Sequence, residues 1–513
     1  MKRFFAKIGR FFWSWRFLKF VLWSVLGVIT LLIFLYVEED WRGARAWAAT
    51  KAEWEAKGET FDYHKFIPPP VPDDQNLAAI PLFKLEPNKD DQGGSYLTTV
   101  ALNRAMRNDL PGFEFPSTGN WMRGELPDMA KIQKVLDADY ALAFKDTKPP
   151  DDSLAQFNAL YPFFADFLAA SATHPVFRMN QDYAASPPAV RPLGPITAQI
   201  KLSKVLTLHA ILALDHHQSD LALADIKTNY KLLSGVKRDP SLVGGLVAIG
   251  MNAINSSVIY NGLVRHAWTD AQLVEIDDTL KPINFLVDYQ FAMRCEVAQS
   301  VANLECFVKS SHRHSRVFEG FDPQVPLMSR FAPRWPDGWW DDNKSQMAGF
   351  LFQSLAGVDP QARLVFPKIA IDLHNQIEQA NARWDAYAPW KILANIAAGP
   401  VTNATHQYAQ AQVWVDEARI ACALERYRLA HGVYPDSLDA LAPAYIEAGP
   451  HDIMNGEPYH YQLRPDDTFL LYSVGWNQTD DGGKVVYKTD SPKQIDYEKG
   501  DWVWPTPQAA PAK

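Results

Sequence analysis

Four polar residues near the C-terminus have the types and spacing to hold a hard cation. Asn477, Asp480 and Asp481 lie in the string "LLYSVGWNQTDDGG" (470–483), and Asp501 follows in "GDWVW". Calcium takes about six to eight oxygens from carboxylates, amides and backbone carbonyls, and glycines let a loop wrap around the ion. The spacing is not that of an EF-hand loop. Asn, Asp and Gly also favour tight turns for purely conformational reasons, so a turn and a calcium loop stand as alternatives.

Two further groups carry site chemistry. His216 and His217, with Asp215 and Asp220, and His312 with His314 have zinc-ligating side chains. Adjacent histidines at a helix end point in different directions, and no third or fourth ligand is identifiable. A solvated turn between helices is therefore expected at 214–220. The segment "RWPDGWWDDN" (334–343) interleaves aromatics with carboxylates, as glycan-binding clefts do, and Asp341 or Asp342 has the chemistry of a general acid. Catalytic carboxylates face each other across a substrate, which neighbours in sequence rarely do, so packing of these tryptophans on helices is the expectation. The chain has no Gly-x-Ser-x-Gly, no phosphate-binding glycine loop and no His-Glu-x-x-His.

The elements that must position these residues begin with an anchor. The first nineteen residues carry six bases (Lys2, Arg3, Lys7, Arg10, Arg16, Lys19) and no acid, while the whole 513-residue chain has a net charge of -9. The remainder is thus acidic, which argues against a nucleic-acid-binding body. Residues 20–37, "FVLWSVLGVITLLIFLYV", hold no charge and as a helix reach about 27 Å, close to the ~30 Å bilayer core. They read as one transmembrane helix, with residues 1–19 cytoplasmic by the positive-inside rule and the body extracytoplasmic. Trp13, Trp15 and Trp23 suit a belt at the headgroups. A cleaved signal peptide is the rival, because "ARA" (44–46) is a small-x-small triplet. The apolar run is longer than the ~7–15 residues of a usual signal core, and acids separate it from the triplet.

Beyond the anchor, residues 38–74 read as a stalk ended by the proline run "IPPPVPDD", a stiff spacer. Residues 75–400 read as a helical body of paired, stacked helices with apolar residues at spacings of three and four, such as Leu202, Val205, Leu208 and Leu212. Asp239-Pro240 is expected to start one helix and Thr269 with Gln272 to form a capping box for another. Glycine and proline mark a long loop at 318–338, with helices resuming near Lys344. If Cys295 and Cys306 share a helix they lie ~16 Å apart along its axis, beyond the ~7 Å reach of a disulfide. All three cysteines, Cys422 included, read as small buried side chains.

Residues 401–505 change character. An amphipathic helix is expected over 405–430, with Ala409, Val413, Ile420, Leu424 and Tyr427 on one stripe and Gly432 ending it. A short helix at "YPDSLDALAP" and strands at 459–463, 468–474 and 484–489 follow, giving an α+β arrangement. The tail, 506–513, is rich in Pro and Ala and reads as disordered.

The strings "ALERYRLAHGVYPDSLDAL", "DIMNGEPYHY", "FLLYSVGWNQTDDGG" and "GDWVW" together resemble the globular part of the major pseudopilin of type II secretion systems. The carrying residues are Tyr427, Gly432, Tyr434 and Pro435; then Asp452, Asn455, Gly456, Pro458 and Tyr459; then Ser473, Gly475, Asn477, Asp480 and Asp481. The resemblance implies a long helix packed on a small antiparallel sheet and calcium in the acidic loop. It covers about residues 404–504. The Gly-Phe-Thr-Leu-x-Glu processing site of that family is missing, and Ile453 stands where a proline follows the aspartate, so processing and polymerisation as a pseudopilin are not expected. The chain as a whole then reads as mainly α: a transmembrane helix, a helical body and a pseudopilin-like α+β domain. The expected function is a non-enzymatic, single-pass inner-membrane protein contacting other envelope proteins, with a glycan hydrolase as the alternative.

Overall fold

A computed structural model describes residues 15–89, 95–106, 115–145, 147–183, 188, 193–309, 334–381, 388 and 390–506. The tail from 507, His312, His314, most of the expected 318–338 loop and the first fourteen residues lie outside them. In chain order the helices are α1 (Trp15–Ala56), α2 (Val100–Ala105), α3 (Met129–Phe144), α4 (Ser153–Leu160), α5 (Phe164–Thr173), α6 (Gly194–Asp215), α7 (Ser219–Val236), α8 (Leu242–Val264), α9 (Asp270–Leu280), α10 (Phe285–Lys309), α11 (Asp337–Ser354), α12 (Pro367–Asn381) and α13 (Ile392–His431). Strands are β1 (Glu86–Lys89), β2 (Ser95–Thr98), β3 (Val358–Asp359), β4 (Leu364–Val365), β5 (His460–Leu463), β6 (Phe469–Ser473), β7 (Val485–Tyr487), β8 (Ile495–Gly500) and β9 (Trp502–Trp504). The chain is mainly helical with small antiparallel sheets, as expected.

Two compact units divide it. One comprises Met1–Phe61, Ser300–Phe350 and Gln376–Gly399, the other Asp62–Gln299, Leu351–Asn375 and Pro400–Lys513. In the first unit α1 runs unbroken for 42 residues, so the apolar run 20–37 and the residues after it, to Ala56, are one helix. Its crossing with the start of α11 depends on two glycines. A Cβ on Gly43 would stand 2.1 Å from the Gly338 carbonyl oxygen, and one on Gly338 would stand 1.9 Å from that of Glu39. Only residues without side chains permit backbones this close. The Trp339 indole donates to Glu39 (2.9 Å) and the Gly338 amide to Asp40 (3.0 Å).

Among the described residues three helices are long and apolar enough to cross a membrane: α1, α6 and α8. The apolar window of α1 has none of its residues buried, whereas those of α6 and α8 are 78% and 67% buried. Burial explains why α6 and α8 carry apolar residues almost all round: each packs on the other and on α7.

In the second unit Ser241, rather than Asp239, caps α8, its hydroxyl accepting the Gly244 amide at 3.1 Å. Asp239 instead accepts the Ser241 hydroxyl, so the cap lies two residues later than the Asp-Pro signal implies. The capping box of Thr269 and Gln272 opens α9 as expected. The proline run lies along this unit, with the Pro68 carbonyl accepting from the Arg178 guanidinium at 3.0 and 3.2 Å.

The C-terminal helix departs most from expectation. α13 begins at Ile392, well before residue 405, and is buried nearly all round from Tyr408 to Ala418, polar Gln412, Asp416 and Glu417 included. It is not amphipathic, because body helices cover one side and the sheet the other. Trp121 contacts Trp414 (5.7 Å between centroids) and Trp504 (5.6 Å), while Tyr260 of α8 packs on Trp504 (5.9 Å). Gly432 ends α13 at φ +80. The sheet is β5-β6-β9, all antiparallel. The third expected strand, β7, pairs with β8 instead, because Gly500 and Asp501 turn the chain so that "WVW" joins β6.

Candidate functional site

The acidic loop leaves β6 and is rooted on β9. Gly475 opens it at φ +67, where a Cβ would also meet the Gly500 carbonyl oxygen at 2.6 Å, so the position admits glycine alone without rearrangement. Asp501 is buried, and its carboxylate accepts the amides of Asp481 (3.1 Å), Gly483 (2.7 Å) and Lys484 (3.2 Å). Burial raises its pKa and these three amides oppose the rise.

Asp480 accepts the Gly482 amide (2.9 Å) and the Tyr472 hydroxyl (2.9 Å), which hold its carboxyl below the usual range. Its second oxygen lies 3.6 Å from His460, whose ring stacks on Tyr472 at 4.8 Å between centroids. The Asp481 carboxylate accepts the Asn477 side-chain amide at 3.0 Å. Asp481 therefore meets Asp501 through its backbone, while the carboxylates of Asp480 and Asp481 are held by different partners. Among the described residues no group of three or more His, Cys, Asp or Glu is placed to hold a metal ion. The result is an exposed acidic tip on a fixed root.

The other sequence candidates are similarly engaged. His216 lies 3.0 Å from the Ser153 hydroxyl and 3.1 Å from Asp152. Asp215 pairs with Arg265 and Asp220 accepts from Gln272. His217 occupies the turn between α6 and α7 at φ +58, as the tight connection requires. The segment expected as a loop with Asp341 and Asp342 is the first turn and a half of α11, because Pro336 precedes the helix and Asp337 begins it. Asp341 pairs with Lys344 (2.6 Å) and Asp342 with Arg42 (2.8 Å). All three cysteines are free thiols.

Two features escaped sequence reasoning. Asp452, fully buried, accepts the Met454 and Val474 amides (3.0 and 2.9 Å) and the Ser473 hydroxyl (2.9 Å), tying "DIMNG" to the end of β6. Beside it, Asp416 takes the Arg363 guanidinium at 2.8 and 2.9 Å, while one oxygen of the buried Glu417 has no hydrogen-bond partner among the described residues. Burial and the neighbouring Asp452 and Asp416 push the Glu417 pKa well up. The signal was adjacent acids in the apolar run "QVWVDEARIA".

The second feature is a cavity of about 1120 Å³ bounded by the proline run, α5, α7 and the start of α10. Lys65, Arg178, Lys227, Lys231 and Arg238 line it, and among the described residues no Asp or Glu does. Positions 227, 231, 234 and 238 follow helical spacing, a stripe visible in the sequence. Comparison with protein-family models, curated proteins and solved structures returns no match.

Proposed function

We propose that the chain is a non-enzymatic, membrane-anchored interaction protein: single-pass in the bacterial inner membrane through residues 20–37, with its N-terminus cytoplasmic and its body in the periplasm. The observation that carries this reading is the contrast among the three membrane-length helices of the described residues, of which α1 alone leaves its apolar surface bare. Basic residues before residue 20 and Glu38, Glu39 and Asp40 after residue 37 supply the orientation. The resemblance of residues 404–504 to a pseudopilin supports components of a secretion or pilus-like apparatus as partners. The acidic tip at Asn477, Asp480 and Asp481 is the contact surface, for calcium or for a basic partner.

Alkaline phosphatase fused after residue 506 tests orientation: activity in intact cells is expected, and an inactive, stable fusion would reverse it. Affinity purification from crosslinked membranes tests the partner class. Recovery of envelope-apparatus proteins, lost on Asp480→Lys with Asp481→Lys, is expected; consistent recovery without them would sink the apparatus reading.

A further inference from the structure

The cavity in the second unit is unusual in an acidic body. Its floor is apolar, formed in part by Leu168, Phe177, Ile283 and the edge-contacting pair Phe66 and Phe291 (6.1 Å between centroids). Its volume exceeds the ~300–1,000 Å³ of ordinary small-molecule pockets. Five cations also line the cavity, no carboxylate does among the described residues, and the cations' remaining attachments differ. Arg178 is held by the Pro68 carbonyl, and Lys227 pairs with Glu275 at 2.7 Å. Lys231 donates to the Ser171 carbonyl and hydroxyl, both neutral. Lys65 and Arg238 make no ion pair within 4 Å among the described residues, and both are exposed; the charge of Asp288, which pairs with Lys237, also acts on Arg238.

We propose that this cavity binds an amphiphile with an anionic head, the apolar part lying on the phenylalanine floor and the head among Lys65, Lys231 and Arg238. An apolar ligand alone would not need the cations, and an inorganic anion alone would leave the floor wet. Concave apolar walls with a few convergent polar groups are the usual form of a small-molecule site, and guanidinium or ammonium groups supply charge-assisted bonds to a carboxylate or phosphate. Burial and the charge of Lys227 lower the pKa of Lys231, so an anion beside it relieves a deficit of counter-charge that the fold leaves in place. Arg178 acts as a positioning residue: by gripping Pro68 it keeps the proline run as the cavity's outer wall.

The test uses the full chain in phosphatidylcholine nanodiscs, with empty nanodiscs as blank and 11-(dansylamino)undecanoic acid as the fluorescent probe. Saturable binding is expected, displaced by palmitate or by 1-palmitoyl lysophosphatidate, the stronger of the two identifying a carboxylate or a phosphate head. Monopalmitoylglycerol and inorganic phosphate at equal concentration should not displace it. Arg238→Gln combined with Lys231→Gln should weaken the probe about tenfold or more, and Ser234→Trp, at an exposed lining position, should block it. Arg238→Gln alone, also at an exposed site, keeps the test informative if the double variant fails to fold. Displacement by the neutral monoacylglycerol as readily as by palmitate would overturn the proposal. So would wild-type probe affinity in all these variants with unchanged circular dichroism. Displacement by polyglutamate but not palmitate would mark a surface for acidic macromolecules and equally overturn it.

Discussion

The acidic loop and the cationic cavity both concentrate one sign of charge, yet they treat it in opposite ways. Around the loop, carboxylates meet donors from their own neighbourhood: Asp501 takes three backbone amides, Asp480 a tyrosine and an amide, and Asp452 two amides and a hydroxyl. Around the cavity, cations outnumber their internal partners and face an apolar floor. A cluster of like charges therefore says little by itself. What separates a structural cluster from a binding surface is whether the fold already supplies the counter-charge or hydrogen bond.

The largest effect that tests the internally satisfied side is expected at Asp452. Asp452→Ala strands two buried amides and a hydroxyl, and each lost bond to a charged acceptor costs about 1.5–3 kcal/mol. Urea unfolding followed by tryptophan fluorescence should show a loss of about 3 kcal/mol or more. A loss below 1 kcal/mol would mean that water reaches the β6 end and the carboxylate is dispensable.

Glu417 is the exception within the acidic module, and it sharpens the contrast. Its folded-state pKa is raised by burial and by Asp452 and Asp416, with relief from the Trp504 amide. The folded state therefore holds the proton more tightly than the unfolded chain. Stability should fall as pH rises from the ordinary glutamate pKa toward the folded value, and be greatest below that window. Glu417→Gln should flatten this dependence and gain about 1 kcal/mol at neutral pH, since there the unfolded chain gains by ionising this group and the folded state cannot do so without burying a poorly partnered charge. Thermal midpoints between pH 4 and 8 measure both. An unchanged slope in the variant would assign the pH dependence to another group.

On the cavity side a smaller gain is expected. Lys231→Met removes a part-buried ammonium that repels Lys227, at the loss of its bonds to Ser171. The balance should be about 0.5 kcal/mol in favour of the variant without ligand. A destabilisation above 1 kcal/mol would show that Ser171 satisfies Lys231 fully, placing the cavity in the same class as the loop.

Much of the fold was legible because local signals decide it. The capping box at Thr269, the tight turn at His217, the helix stop at Gly432 and strands β5 and β6 all depend on residues within a few positions. Three features depended on distant partners instead. α13 reads as amphipathic until Trp121 and Tyr260 cover its second side. β9 joins β6 only because Asp501 and Gly500 redirect the chain. The Trp/Asp segment starts its helix from the local signals Pro336 and Asp337, but its place is set from afar, where Gly338 meets α1. The cavity was hidden for the same reason: Lys227 and Lys231 on α7 and Arg238 in the turn after it are close in sequence, but Arg178 and the proline run arrive from elsewhere.

Calcium is the weakest and most discriminating probe of the loop. With Asp501 buried and engaged by three amides, the exposed carboxylates that could turn toward an ion are those of Asp480 and Asp481, which would give up their bonds to Tyr472 and Asn477 to do so. So few protein oxygens on an exposed tip place affinity near the millimolar end of calcium sites. At 1 mM calcium such a site adds about 0.4 kcal/mol to stability, because binding confined to the folded state contributes RT ln(1 + [L]/Kd). A thermal shift of that size, abolished in Asp480→Asn with Asp481→Asn and kept in Asp501→Asn, would place the ion at the tip. A gain above 2 kcal/mol that Asp501→Asn removes would instead show Asp501 exchanging its amides for the ion, and the loop would then join the cavity as a region whose charge awaits a partner.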